Sequence, residues 1–147
     1  MVQEKYPPAK LIYGNNILAV EYFDLRKSEA DRGNPYNTAF CLRVSSGAFQ
    51  GYASCEYDIV LFCKFVEQLR ELYDFKRRTV ELSEFCYGSQ VVFTLEKAGQ
   101  LAISGELFGE AKEQSLRFSF KADQTALLPF VNSLEKILHN ECQEPAL

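Results

Sequence analysis

Apolar and polar residues alternate with a period of two along most of the chain, and twice the period lengthens to about 3.6. A short strand is expected over residues 11–13, turning at Gly14-Asn15-Asn16. Over residues 17–23, Leu18, Val20 and Tyr22 share one strand face, with Ile17 and Phe23 on the other. Residues 38–46 place Phe40, Leu42 and Val44 inward and Cys41, Arg43 and Ser45 outward. Ser46-Gly47 predicts a turn into a strand over 48–57, with Phe49, Gly51, Ala53, Cys55 and Tyr57 on one side. Gly51 there leaves room for backbone or a crossing helix. Further strands are predicted over 79–82, 89–95, 100–108 and 115–122, with Ala98-Gly99 turning between the middle two.

Asp58 is a natural N-cap for a helix reaching residue 73 or 74, because its short carboxylate can accept a free amide of the first turn. Ile59, Phe62, Cys63, Val66, Leu69 and Tyr73 follow helical spacing, and Phe65 and Leu72 widen the stripe. Asp123 repeats that role before a second helix carrying Leu127, Phe130, Val131, Leu134 and Leu138, with Ile137 beside them. Pro129 lacks a backbone donor and predicts that this helix becomes regular near Leu128. The expected class is therefore α+β: a mainly antiparallel sheet of about six to eight strands with two amphipathic helices packed on it. Asp58, Phe65, Val66 and Leu69 recur 65 residues later as Asp123, Phe130, Val131 and Leu134. Two pseudo-repeated sheet-plus-helix halves would produce this, and so would two helices independently covering a sheet.

The length of 147 residues suits one domain. Pro7-Pro8 marks 1–9 as a lead-in, 10–140 as the globular part and 141–147 as a tail. With 47% hydrophobic residues, 24% charged residues and 12 Phe, the composition is that of a folded domain and not of a disordered one. A net charge of -4 carries no basic footprint for nucleic acid, and the Lys76-Arg77-Arg78 run is explained by the negative end of the first helix. The first eight residues lack the apolar core of a signal peptide, and no stretch is long and apolar enough for a membrane helix, so a cytoplasmic location is expected. Cys41, Cys55, Cys63, Cys86 and Cys142 have no metal-ligand spacing and are read as reduced thiols.

Little in the chain points to catalysis, and neither cofactor nor metal is expected. His139 is the one histidine, and its place in the last helical turn suits the helix dipole. Glu81 with Glu84, and Glu106 with Glu110, are carboxylate pairs more simply explained as solvated strand ends. The charged segment 26–37 is long for a strand connection and reads as a loop. Its Glu29, Asp31, Arg32, Tyr36 and Asn37 combine charge with an aromatic anchor and are the candidate protein-binding residues. Glu67, Glu71 and Asp74 offer a second, acidic face.

Several stretches, in this order, resemble the WapI family of bacterial immunity proteins. They are residues 17–23, the strand and turn from Phe40 to Gly51, the helix from Phe62 to Tyr73, residues 101–107, and Leu116 to Phe120 followed by Asp123-Gln124-Thr125 and Leu134 to Leu138. Where the family places Trp at the entrance to the second long strand, this chain has Ala39-Phe40, and Phe fills the same kind of apolar position. The resemblance implies a small cytoplasmic, non-enzymatic protein that binds and neutralises a cognate toxin domain. A ligand-binding or scaffold module, and a small hydrolase with a dispersed site, are the alternatives. A weak homodimer through an uncovered sheet edge also stays open.

Overall fold

A computed structural model describes residues 4–142. Eight strands form two four-stranded antiparallel sheets. The first sheet contains β1 (Ala9–Tyr13), β2 (Asn16–Leu25), β3 (Thr38–Ser46) and β4 (Phe49–Tyr57), in that spatial order. The second contains β5 (Thr79–Ser83), β6 (Gln90–Leu95), β7 (Gln100–Phe108) and β8 (Ser115–Asp123), again in sequence order. A one-turn helix, α1 (Lys27–Asp31), lies between β2 and β3; α2 (Ile59–Tyr73) follows β4, and α3 (Gln124–Cys142) follows β8. The α+β class and the two sheet-plus-helix halves are thus present.

The equivalence of the halves reaches individual side chains. Phe62, Phe65, Val66, Leu69 and Leu72 of α2 are buried, and so in α3 are the residues 65 positions later, Leu127, Phe130, Val131, Leu134 and Ile137, with Ala126 and Glu141 buried in addition. Each helix sits against the first strand of the other half, α2 on β5 and α3 on β1. The sheets themselves meet through β4 and β8. One apolar core results, crossed by an aromatic line from Phe23 to Phe62 (4.9 Å between ring centroids), Phe65 (5.8 Å), Phe93 (6.0 Å) and Phe130 (6.2 Å). At the ends of the described chain, Lys5 Nζ lies 3.2 Å from the buried carboxylate of Glu141 and Tyr6 packs against the core. Packed structure therefore reaches beyond residues 10–140 in both directions.

Several local expectations change. Tyr22 has a positive φ of 55°, and Tyr22 and Phe23 together oppose Phe40, a β-bulge between the pairs Glu21–Cys41 and Asp24–Ala39. The extra residue reverses the facing of the strand, so Tyr22 is exposed and Phe23 enters the core. Phe49, on the inward parity of β4, is 73% exposed at the start of the strand. Gly51 makes room for neither backbone nor helix: a Cβ there would lie 2.5 Å from Leu116 Cδ2 of β8. Finally, α3 is regular from Gln124 despite Pro129. Asp123 fixes its start, and Thr125, whose carbonyl loses its helical donor to the proline, lies with Pro129 on the exposed side.

Candidate partner-binding surface

The segment between β2 and β3 is ordered from within. Arg26 carbonyl accepts the amides of Glu29 (3.1 Å) and Ala30 (3.1 Å), making α1 where only a loop was expected. Asn34 Nδ2 donates to Glu29 Oε2 (2.8 Å), and Arg32 lies 4.0 Å from the other Glu29 oxygen. Asp31 and Arg32 remain exposed, as does Tyr36.

Asn37 departs from the expectation of an exposed contact group, being 3% exposed. Its Oδ1 accepts from the Ile59 amide (2.8 Å) and the Thr38 hydroxyl (2.8 Å), while Nδ2 donates to the Asn34 carbonyl (2.8 Å) and Asp58 Oδ1 (3.2 Å). Asp58 in turn accepts the Val60 amide (3.1 Å). Two side chains thus satisfy two of the free amides opening α2, those of Ile59 and Val60, and the loop is fixed to that helix. A cavity of about 180 Å³ lies at the junction, lined by Ala30, Gly33, Asn34, Asn37, Asp58, Ile59 and Val60.

The other wall is the connection between β5 and β6. Glu84 is buried, and its carboxylate accepts four backbone amides: Glu56 and Cys86 on Oε2 (both 2.9 Å), Tyr87 and Gly88 on Oε1 (2.6 and 3.0 Å). This ties the connection to the free side of β4, as does the Phe85 amide donating to the Glu56 carbonyl (3.5 Å). Arg26 completes the base, donating to Glu56 Oε2 (2.6 Å) and to the Tyr36 carbonyl (2.9 Å).

On this base Tyr36 stands edge-on to Phe85, 5.9 Å between ring centroids, and Phe85 packs on Tyr57 at 4.8 Å. Tyr36 and Phe85 are 47% and 39% exposed, and the first turn of α2 adds exposed Val60, which lines the cavity beside Asn34. Burial first, then the charges of Asp58 and Glu81, pushes the Tyr57 hydroxyl up, so the ring beneath stays neutral. Burial, followed by Glu84 and Glu56, likewise pushes the Cys86 thiol up and disfavours the thiolate a nucleophile needs.

Glu29, Asp31, Arg32 and Tyr36 therefore share one surface, with Asn37 beneath it as a support. Phe85 and Val60 join them and were not singled out from sequence. An aromatic residue inside the polar run Ser83-Glu84-Phe85-Cys86-Tyr87-Gly88 was the available signal. The second acidic face is partly occupied, since Glu71 lies 3.5 Å from Arg77, while Glu67 and Asp74 are exposed. Glu81 and Glu84 do not form a carboxylate pair: Glu84 is buried among amides and Glu81 is exposed beside Ser83 and Gln90. Glu106 lies 3.9 Å from Arg117. Among the described residues no three His, Cys, Asp or Glu side chains converge in a metal-binding arrangement.

The model of the immunity protein WapI-like family matches residues 13–141. The chain belongs to that family. The match spans both halves, including every element that builds the surface around Tyr36 and Phe85. No curated protein matches. Among solved structures, the crystal structures of Trypanosoma bruciei MRP1/MRP2 share the fold, with a TM-score of 0.56, 12% identity, and coverage of 93% of this chain and 86% of that one.

Proposed function

We propose that this WapI-like immunity protein neutralises a cognate toxin domain by binding it, without catalysis, through the surface formed by α1, Tyr36, the first turn of α2 and Phe85. The observation that carries the reading is the Tyr36–Phe85 pair: two exposed rings held on a base of buried hydrogen bonds. Such rings give a partner a large apolar contact at small cost in ordering, because they are already immobilised. Around them the exposed Asp31 and Arg32 can steer and align a charged partner. Neutralisation of this kind would take place in the cytoplasm of the cell that makes both proteins.

The test is isothermal titration of the cognate toxin domain with wild-type and variant protein. Nanomolar affinity, about -12 kcal/mol, is expected for the wild type. Tyr36→Ala and Phe85→Ala should each weaken it by about 2 kcal/mol, roughly 30-fold. Asp31→Lys should act mainly on the association rate. Phe49→Ala, at the start of β4, serves as the control. Equal inhibition of the toxin by wild type, Tyr36→Ala and Phe85→Ala would reject this surface. Absence of any binding would favour a ligand-binding or scaffold module.

A further inference from the structure

The helices α2 and α3 run antiparallel where they touch. The Gln124 side-chain amide, at the start of α3, donates to the carbonyl of Tyr73, at the end of α2. Arg70 is bidentate on Glu135, with Nε at 3.0 Å and a terminal nitrogen at 2.5 Å, and also donates to Asn132 Oδ1 (2.8 Å). From that ion pair, seven residues back along α2 lead to Cys63 and seven forward along α3 lead to Cys142. Seven residues are about two helical turns, roughly 10 Å of rise, so both cysteines return to the shared face at the same level. That register makes the two side chains neighbours, and Cys142 accordingly acts on the Cys63 thiol; Cys63 is half-buried and Cys142 exposed.

We propose that Cys63 and Cys142 are an oxidative modification site, which a small disulfide such as oxidised glutathione converts into a bond stapling the end of α3 to α2. The exposed Cys142 thiolate attacks one sulfur of the oxidant, forming a mixed disulfide and releasing one glutathione thiolate. The Cys63 thiol then gives up its proton and attacks the Cys142 sulfur, releasing the second. The protein loses two protons and two electrons, and one disulfide is reduced to two thiols.

The remaining cysteines offer no equal pairing. Cys41 faces outward from β3, Cys55 inward from β4, and Cys86 lies in the connection held by Glu84. Burial first, then Cys142, pushes the Cys63 thiol up to about 11, which fits it to the second, intramolecular step and Cys142 to the first.

Purified full-length protein, treated with oxidised glutathione and then alkylated, should yield a Cys63–Cys142 cross-linked peptide by mass spectrometry without reduction. The two residues are 79 apart in sequence, so the bond should raise Tm by on the order of 10 °C, reversibly on reduction. Cys142→Ser, a change at an exposed position, should abolish both effects, whereas a Cys41→Ser/Cys86→Ser variant should retain them. A glutathione adduct on Cys142 without the link to Cys63, a bond between other cysteines, or a link that leaves Tm unchanged would overturn the proposal. The readout needs no toxin and is independent of the binding function.

Discussion

Replacing Glu84 by Gln removes charge while keeping shape, and the amide nest around it makes the consequence calculable. Each carboxylate oxygen accepts two backbone N–H groups, from Glu56 and Cys86 on one side and from Tyr87 and Gly88 on the other. Whichever way a glutamine turns, its NH2 must face two of those donors. Two hydrogen bonds to a charged acceptor are lost, at about 1.5–3 kcal/mol each, although relaxation of the connection towards water recovers part. We expect a net loss of about 3 kcal/mol, or a fall in Tm of roughly 6–12 °C. Urea unfolding followed by far-UV circular dichroism measures it, with amide hydrogen exchange locating it. The amides of Cys86, Tyr87 and Gly88 should lose protection before those of β7. Because Phe85 rides on this connection, the surface proposed to bind a toxin should lose affinity as well. A stability loss below about 0.5 kcal/mol, with exchange at those three amides unaltered, would refute the reasoning.

The close approach of β4 to β8 predicts that Gly51→Ala costs about 1–3 kcal/mol in urea unfolding and that Leu116→Ala in the same chain relieves part of the loss. Gly105→Ala should cost about 3 kcal/mol or more with no such rescue, since its Cβ would collide with the Gln90 carbonyl, a backbone group fixed between β6 and β7. Asp123→Ala should cost about 1 kcal/mol at neutral pH as a lost helix cap. The Thr125 hydroxyl first, then the Ala126 and Thr125 amides, hold the Asp123 carboxyl below its ordinary 3.8. That contribution is therefore present above about pH 4 and lost as pH falls through the lowered folded-state value, so the stability gap between wild type and variant should close as the pH is taken below it.

Strands and helices were legible where one face of an element is buried, because burial writes its own period into the chain. Leu101, Ile103 and Leu107, or Phe62, Val66 and Leu69, could hardly be placed otherwise. The exceptions depend on partners distant in sequence. Tyr22 and Phe23 exchange faces because of a bulge set by pairing with Phe40, and Phe49 keeps its parity without a layer opposite to cover it. At the candidate surface the charged loop and Tyr36 could be found, but Asn37 was misplaced: a buried polar capping side chain and a solvated one look alike in sequence. Glu84 was hidden for a similar reason. Its partners are backbone amides, which every residue but proline supplies, so no pattern of side chains announces the nest.

The exchange of helices between the halves also governs how the protein can be made. During synthesis β1 to β4 leave the ribosome complete with α2, yet the helix that covers β1 is α3, more than a hundred residues later. The first half therefore cannot close while it emerges, and its apolar strands must wait for the second. Folding is expected to complete only after α3 has emerged, because the α3–β1 contacts are long-range. A nascent chain halted before Gln124 would hold every strand of both sheets and still not be a folded protein.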